Sequence, residues 1–272
     1  MRGTVDWFKE FLKLFICYAV APSTVGAHPP GKHEKDDWNR IRMILIQHLR
    51  FTYGDGTFRL RIPQLTFESG QSTVIVGPSG AGKTTLLNLI AGILPGSSGE
   101  VSVGEFKVHG LDENERRLFR LRNIGQVFQD FQLIDYLNVL DNVLLPCRIH
   151  PSVSVTKTLR ERGRSLLQSV EMSAFEHRSV TQLSQGERQR VAICRALLLS
   201  PQIVLADEPT GNLDPVNAER IVRLLLSETV RSRATLIMVT HDHSLLKYFD
   251  RVIPFDQFLE RGSVENPSGG AP

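Results

Sequence analysis

The chain has 272 residues, of which 41% are hydrophobic and 22% charged, and its formal net charge at pH 7 is +3. This balance is typical of a globular protein with a core over most of its length, and it lacks the concentrated basic face of a nucleic-acid reader. Cys17, Cys147 and Cys194 lie far apart, without the spacing of a zinc site or a disulfide framework. No run reaches the roughly 18 apolar residues that cross a bilayer, so any membrane span is expected from another chain.

Residues 1–42 differ from the rest of the sequence, and three interpretations of them stay open. Leu14 to Ala21, followed by Val25-Gly26-Ala27, is compatible with a signal peptide. The apolar residues from Trp7 to Phe15 suit an amphipathic surface helix. The interpretation that we favour is that the natural protein starts at Met43, where a strand begins at once.

A glycine-rich loop follows the predicted buried strand Ser72–Val76 and precedes a predicted helix from Thr85 to about Leu94. The loop is Gly77-Pro78-Ser79-Gly80-Ala81-Gly82-Lys83-Thr84. It matches G-x-x-x-x-G-K-[ST] in the strand–loop–helix setting that this phosphate-binding pattern requires. Its glycines let backbone N–H groups converge on phosphate oxygens, and the helix N-terminus adds the positive end of its dipole.

Within this loop, Lys83 is expected to reach the β and γ phosphates of a nucleotide, and the hydroxyl of Thr84 to ligate Mg²⁺. The alternative is a glycine-rich turn with an incidental lysine, which the flanking strand and helix disfavour.

The densest basic stretch lies further along the chain and follows a group of acidic residues. Its arginines are Arg116, Arg117, Arg120 and Arg122, and the acids are Asp112, Glu113 and Glu115. We interpret it as the solvated face of a helix rather than as a binding patch.

A capping box is predicted at Ser184 and Glu187, which have the Ser-x-x-Glu spacing, and it would open a helix running to Leu199. The first N–H groups of such a helix point outward without helical partners, so its start is also an anion site. Cys194 lies among apolar residues of this helix and is interpreted as a small buried hydrophobe.

Two adjacent carboxylates, Asp207 and Glu208, end the predicted buried strand Ile203–Ala206. Carboxylates are costly to bury there unless they meet a cation or move a proton. Together with the phosphate-binding loop, this predicts that Asp207 holds Mg²⁺ and that Glu208 orients the attacking water and takes its proton. A solvated strand end before a proline turn is the alternative.

These segments together resemble the ABC ATPase family. Leu183-Ser184-Gln185-Gly186-Glu187 closely resembles the ABC signature, usually Leu-Ser-Gly-Gly-Gln/Glu, with Gln185 in place of the usual first glycine. The resemblance covers about Ile44 to Asp256. It implies an α/β fold with a P-loop NTPase (RecA-like) core, an antiparallel β subdomain and an inserted α-helical subdomain.

The resemblance also implies a domain division. The ABC ATPase domain spans residues 43–262, with the helical subdomain at about 130–190. Residues 1–42 are an N-terminal extension, either disordered or not native. Residues 263–272 form a small, polar tail that is expected to be disordered.

Further site residues follow from the resemblance. Gln129 resembles the glutamine that senses Mg²⁺ and the attacking water, and His241 resembles the histidine that contacts the γ-phosphate. The nucleotide-binding set extends through Thr85, and Tyr53 resembles the aromatic that stacks on adenine, with Phe51 as the fallback.

The opposite subunit is implied to complete each site. Ser184, Gln185, Gly186 and Glu187 would bind the γ-phosphate held by the other chain. Asp214 resembles the residue of the loop that communicates across the dimer, and it is also predicted to cap a helix that starts with Pro215.

The implied function is an ATP-binding and ATP-hydrolysing subunit that dimerises, with itself or a paired ABC subunit, around two ATP with Mg²⁺. It would drive integral membrane permease subunits from the cytoplasmic face of the inner or plasma membrane, without binding nucleic acid. Thr210-Gly211-Asn212-Leu213-Asp214 resembles the subgroup of macrolide exporters, lipoprotein-releasing complexes and the cell-division ATPase.

The alternative is a soluble ABC ATPase acting on nucleic acid or the ribosome. DNA-repair members usually carry a long coiled coil between their two halves, which does not fit between Gln129 and Ser184. Ribosomal members usually have two cassettes in one chain, and this sequence has one.

Overall fold

A computed structural model describes residues 43–53, 58–96, 98–150 and 153–258. The interpretations of residues 1–42 and 263–272 concern segments outside the described residues. The strands are β1 (Met43–Thr52), β2 (Arg59–Glu68), β3 (Ser72–Val76), β4 (Ser98–Val103), β5 (Phe106–Lys107), β6 (Ile124–Val127), β7 (Ile203–Asp207), β8 (Thr235–Thr240) and β9 (Arg251–Pro254).

Helices lie between several of the strands. The α-helices are α1 (Lys83–Ile90), α2 (Glu113–Asn123), α3 (Val139–Val143), α4 (Leu145–Ile149), α5 (Lys157–Ser169), α6 (Gln185–Leu197) and α7 (Pro215–Ser232). Short 3₁₀ helices occur at Val108–Gly110, Ser173–Phe175, Val180–Gln182, His243–Tyr248 and Phe255–Phe258.

A parallel sheet with strand order β6-β7-β8-β3-β9 forms the centre of the fold. Strands β3, β7 and β8 are almost wholly buried, as expected for a sheet that has helices on both faces. Asp207 on β7 pairs with Val239 on β8, and Val76 on β3 pairs with Thr240. The carboxyl ends of β3, β7 and β8 therefore meet at one edge of the sheet, where ligands bind in folds of this kind.

An antiparallel sheet with strand order β2-β1-β4-β5 packs beside the parallel one. Exposed and buried residues largely alternate along β2, so this sheet has one buried face. Its buried residues share a hydrophobic cluster with α1 and with β3, β7, β8 and β9. This arrangement places the end of β1, and with it Tyr53, near the phosphate-binding loop.

A second hydrophobic cluster joins α3, α5, α6 and α7 to the other side of the parallel sheet. The predicted α/β fold, with a P-loop NTPase core, an antiparallel sheet and a helical insertion, is confirmed. Cys194 lies in this second cluster and is fully buried, as predicted.

The structure corrects two helix ends. The helix after the phosphate-binding loop stops at Ile90 instead of about Leu94, because Gly92 has a φ of 65°, in the left-handed region that ends a helix. Helix α6 ends at Leu197 instead of Leu199, because Ser200 follows with a φ of 54° and its N–H closes a turn onto the Leu197 carbonyl.

The basic stretch is helical, but its solvated interpretation is wrong for three of the four arginines. Arg116, Arg117 and Arg120 on α2 are half-buried, and only Arg122 is exposed. Arg116 and Arg117 both pair with Glu113, at 2.9 and 3.1 Å.

Candidate active site

The phosphate-binding loop curls around the end of the Lys83 side chain. Gly80 and Gly82 have φ values of 76° and 101°, which side-chain-bearing residues rarely adopt. Lys83 is only 5% exposed, and its Nζ donates to the carbonyl oxygens of Gly77 and Pro78 at 2.7 and 2.9 Å. The ammonium group is thus held at the mouth of the loop.

Glu208 lies between two basic side chains at the end of β7. Its Oε1 is 3.2 Å from Lys83 Nζ, and its Oε2 is 2.9 Å from His241 Nδ1. The carboxylate is 12% exposed and also accepts the backbone N–H of His241 at 3.3 Å. Glu208 has a φ of 43°, and such strained backbone at a non-glycine residue is typical of functional sites.

Asp207 faces the start of α1. Thr84 Oγ1 donates to Asp207 Oδ1 at 3.0 Å. Burial raises the pKa of the Asp207 carboxyl, the Thr84 hydrogen bond opposes this shift, and the nearby Glu208 charge adds to it. A hydroxyl and a carboxylate oxygen therefore lie side by side next to the phosphate-binding loop.

Gln129 is exposed and follows the parallel strand β6. Its backbone carbonyl accepts a hydrogen bond from Asn212 Nδ2 at 3.1 Å. Its side chain lies against Gly211, where an added methyl group would come within 3.1 Å of Gln129 Nε2. The structure thus joins Gln129 to the loop that precedes Asp214.

The predicted capping box at the start of α6 is formed. The Ser184 backbone N–H donates to Glu187 Oε2 at 2.7 Å, and the Glu187 N–H donates to Ser184 Oγ at 3.4 Å. Hydrogen bonds from the Ser184 backbone and side chain lower the pKa of Glu187. Ser184 and Gln185 are exposed, and a methyl group added at Gly186 would meet open space.

Asp214 shares a surface pocket with Ser184–Glu187. It caps α7, with Pro215 at the first helical position, and accepts the N–H groups of Val216 and Asn217 at 3.1 Å each. Hydrogen bonds from Asn217 lower the pKa of its carboxyl. Residues 77–84 do not contribute to the described lining of this pocket.

Tyr53 is 41% exposed, and its hydroxyl lies 3.0 Å from Thr85 Oγ1. The fallback, Phe51, is 6% exposed and packs edge-on against Tyr53 with ring centroids 4.8 Å apart. Phe51 belongs to the core, so it is the wrong residue to contact a base. Of the two, Tyr53 has the exposed ring, and its contact with a base stays a prediction.

Sequence reasoning missed two contacts of this site. The Phe58 ring lies so close to Gly82 that a methyl group there would approach it to 2.2 Å, so Phe58 covers the phosphate-binding loop. Asn212 was noticed only as a part of the Thr210–Asp214 motif, although it binds the Gln129 backbone. No spacing rule links Phe58 to Gly82 or Asn212 to Gln129. The signals in the sequence are only an aromatic residue ahead of the phosphate-binding loop and an amide residue within the Thr210–Asp214 motif.

The fold and the geometry define the chain as a P-loop nucleotide hydrolase. Comparisons with known proteins identify its family within that class. Residues 60–211 match the profile of the ABC transporter family. Over 211 residues the chain is 41% identical to the lipoprotein-releasing system ATP-binding protein LolD of Treponema denticola, which covers 76% of this chain and 92% of that protein. It is 40% identical over 214 residues to YbbA of Escherichia coli K12, an uncharacterized ABC transporter ATP-binding protein, with coverages of 78% and 93%.

Solved structures of ABC transporter cassettes also resemble the chain. The dimeric structure of MJ0796, a bacterial ABC transporter cassette, superimposes with a TM-score of 0.70 at 36% identity and covers 78% of this chain and 93% of that one. A dimeric post-hydrolysis state of MJ0796 bound to ADP and Pi gives a TM-score of 0.70 at 35% identity, with coverages of 82% and 97%.

The chain belongs to the ABC transporter family. It is an ATP-binding subunit of that family and an ATPase, in the subgroup that the Thr210–Asp214 motif predicted. The comparisons give no support for the nucleic-acid alternative. Within the described part of the chain, no helix is long and apolar enough to cross a membrane.

Proposed function

We propose that two copies of this chain, or one copy and a paired ABC subunit, close around two ATP molecules and so drive integral membrane permease subunits. The separation of the two halves of the site carries this proposal. The phosphate-binding loop, Asp207 and Glu208 form one group, whereas Ser184–Glu187 and Asp214 line another pocket. Each group of residues can bind one side of a nucleotide, so a second chain would supply the group that faces the other side. MJ0796 is dimeric in both solved structures above.

Mg²⁺ fits the residues present. It prefers oxygen ligands and is usually held by one or two carboxylates together with substrate phosphates. The Thr84 hydroxyl and the Asp207 carboxylate, 3.0 Å apart beside the phosphate-binding loop, supply that donor set. We propose that the Gln129 side chain joins them when the ion is bound. When bound, the ion neutralises charge that develops on the phosphates.

The protein's own residues then have separate tasks. Backbone N–H groups of residues 77–85 and the Lys83 ammonium bind the phosphates, and the Tyr53 ring stacks on the base. Glu208 accepts the proton of the attacking water, and His241 holds the Glu208 carboxylate and contacts the γ-phosphate. Lys83 leaves Glu208 for the phosphates as the nucleotide binds.

The permease contact lies in a groove beside Gln129. Apolar residues form much of the groove, with Ile93, Leu121, Phe128 and Ile149 among them. Of the described residues that line it, Arg117, Arg120, His150 and Arg195 are basic and none is acidic. Because apolar residues form much of the groove, we propose a short helix of the membrane subunit as its occupant, with an apolar face turned to the groove. We propose that the chain works at the cytoplasmic face of the membrane, where ATP is available.

The test is to purify the tagged chain from detergent-solubilised native membranes and identify what accompanies it. A stoichiometric integral membrane protein is expected. Leu121→Glu, which puts a carboxylate in the groove, should lose that protein and keep ATP binding. Val230→Glu on α7, where Val230 is 74% exposed, is the control and should keep both. Recovery of the wild-type chain only from the soluble fraction would refute the proposal.

A further inference from the structure

The turn that follows Gln129 has an unfavourable backbone. Phe131 and Gln132 have φ values of 58° and 49°, so two consecutive non-glycine residues lie in the left-handed region. Within the turn, Phe131 N–H donates to Phe128 O at 3.2 Å and Gln132 N–H donates to Asp130 O at 2.5 Å. A strained turn of this kind persists only where its surroundings hold it.

Arg195 of α6 supplies that support. Its Nη2 donates to the carbonyl oxygen of Phe131 at 2.7 Å, and its Nη1 donates to that of Gln132. The side chain is only 4% exposed, and among the described residues it has no carboxylate partner. Burial lowers the pKa of Arg195 to about 10, so the guanidinium remains charged at neutral pH. The buried guanidinium charge therefore binds two backbone carbonyl groups of one strained turn.

The same part of α6 also touches the strand that leads to Gln129. A methyl group added at Gly125 on β6 would lie 2.5 Å from the carbonyl oxygen of Ala196, the residue after Arg195. Only glycine allows this backbone-to-backbone approach. The strand before Gln129 and the turn after it are therefore both in contact with α6, the helix that Ser184 caps.

We propose that Arg195 is a positioning residue that holds the Phe131–Gln132 turn against α6 and thereby sets where Gln129 lies relative to Mg-ATP. This inference rests on the proposed role of Gln129 at the metal. Arg195 itself touches neither nucleotide nor metal. Its effect reaches the site through the turn, so its loss should change the response of turnover to Mg²⁺ and not only the stability of the fold.

A second arginine provides a matched control. Arg162 on α5 also binds two consecutive carbonyls, with Nε donating to Leu198 O at 2.6 Å and Nη2 donating to Leu197 O at 3.2 Å. It binds the C-terminal end of α6, close to Arg195 along the helix, but contacts neither Gln129 nor its turn in any hydrogen bond of the described residues. Arg195→Met and Arg162→Met therefore each remove the same kind of two-carbonyl contact.

The experiment measures ATP turnover of the purified full chain against Mg²⁺ concentration at saturating ATP, together with thermal unfolding. Arg195→Met is expected to raise the Mg²⁺ concentration for half-maximal turnover by about tenfold, as for the loss of a charge-assisted hydrogen bond. Arg162→Met should lower the unfolding temperature yet leave that concentration unchanged. Arg195→Lys, which keeps the charge and can still reach one carbonyl, should fall between wild type and Arg195→Met.

A further variant separates positioning from folding. Gln132→Gly relieves the positive φ and should reduce the effect of Arg195→Met on the Mg²⁺ response when the two are combined. Equal Mg²⁺ responses of Arg195→Met and Arg162→Met, or strictly additive effects of Arg195→Met and Gln132→Gly, would overturn the inference. If Arg195→Met shifts the Mg²⁺ dependence of turnover but no membrane protein co-purifies with the chain, the inference about Arg195 holds and the permease proposal is refuted. The two proposals can therefore fail separately.

Discussion

The two groups of residues proposed to bind ATP differ in how their polar groups are satisfied. Around the phosphate-binding loop, Lys83 and Glu208 are 5% and 12% exposed and pair with each other at 3.2 Å. At the start of α6, Ser184 and Gln185 are exposed, and Ser184 forms hydrogen bonds with Glu187 and Arg188 of its own turn.

This difference predicts how each group of residues binds a ligand. Buried charges are stable only when paired, so the phosphate-loop side holds a complete ion pair without nucleotide, and ATP must exchange partners with it. On the α6 side the capping box uses the N–H groups of Ser184 and Glu187, whereas the N–H groups of Gln185 and Gly186 point outward along the helix start and can gain an anion. Binding is therefore expected to begin at the phosphate-binding loop and to end with closure onto Ser184.

Glu208→Gln should have the largest effect, because the amide cannot take the proton of the attacking water. Turnover is expected to fall by about 10² to 10⁴-fold, the range for loss of a general base, while ATP binding is kept and an ATP-dependent dimer accumulates. Steady-state turnover and size-exclusion chromatography with ATP measure the two effects. Near-normal turnover at saturating Mg-ATP would show that the proton acceptor is another group.

Glu176 offers a matched control for that substitution. It also lies between two basic side chains, 2.8 Å from Arg164 Nε and 3.7 Å from His177 Nε2, away from the phosphate-binding loop. Glu176→Gln should leave turnover and dimer formation unchanged.

Lys83→Ala should weaken ATP binding by about 10- to 100-fold, as for a lost hydrogen bond to a charged group. Because Glu208 then loses its 3.2 Å partner, the free protein should also become less stable. Titration with a fluorescent ATP analogue and thermal unfolding measure both effects. Lys157→Ala, at a side chain that is 90% exposed, is the control. Unchanged affinity in Lys83→Ala would place the phosphates elsewhere.

Ser184→Arg tests the other side of the comparison. The added bulk should reduce ATP-dependent dimer formation by about 10- to 100-fold, in line with the cost of overpacking a fitted contact. ATP binding to one chain should persist, since Ser184 lies outside the phosphate-binding loop. Ser165→Arg, at an exposed position of α5, is the control. A Ser184→Arg chain that still dimerises with ATP would contradict the shared site.

The part of the site that the sequence predicts is the part made of contiguous residues. The loop around Lys83, the strand ending at Asp207 and the capping box at Ser184 each depend on neighbours in the chain, so spacing rules predict them. The parallel-sheet pattern also predicts that strand ends meet at one edge, which brings Glu208 near Lys83.

What the sequence could not predict depends on tertiary packing. Phe51 lies on β1 and Tyr53 directly follows it, and only the tertiary packing decides which of the two aromatic residues is buried. The arginines of α2 look solvated because acids precede them, yet the helix half-buries three of them and packs Arg117 and Arg120 against the groove. The contacts of Arg195 with Phe131 and Gln132 join distant segments, and no local pattern signals such a contact.

Asp207→Asn should have the smallest effect on the stability of the free protein. Whether it raises or lowers the unfolding temperature tests how burial acts on the Asp207 carboxyl. Burial raises the pKa of Asp207, so the stability linked to this group is present at pH values below its unfolded pKa and is lost as pH rises through the folded value. At pH 7 the neutral amide should therefore raise the unfolding temperature without nucleotide, and it should flatten the pH dependence in the acidic range. With Mg-ATP the order should reverse, because the amide is a poorer ligand and wild type gains more from the metal.

Asp250 provides a control of opposite sign. Hydrogen bonds from the Ser72 side chain and backbone, at 2.6 and 2.8 Å, lower the pKa of its carboxyl. Its stabilising contribution is present above its unfolded pKa and is lost as pH falls through the folded value, so Asp250→Asn should lower the unfolding temperature at pH 7. If Asp207→Asn also lowered it, Asp207 would already be fully compensated by its neighbours, and the phosphate-loop side would not need a cation to complete it.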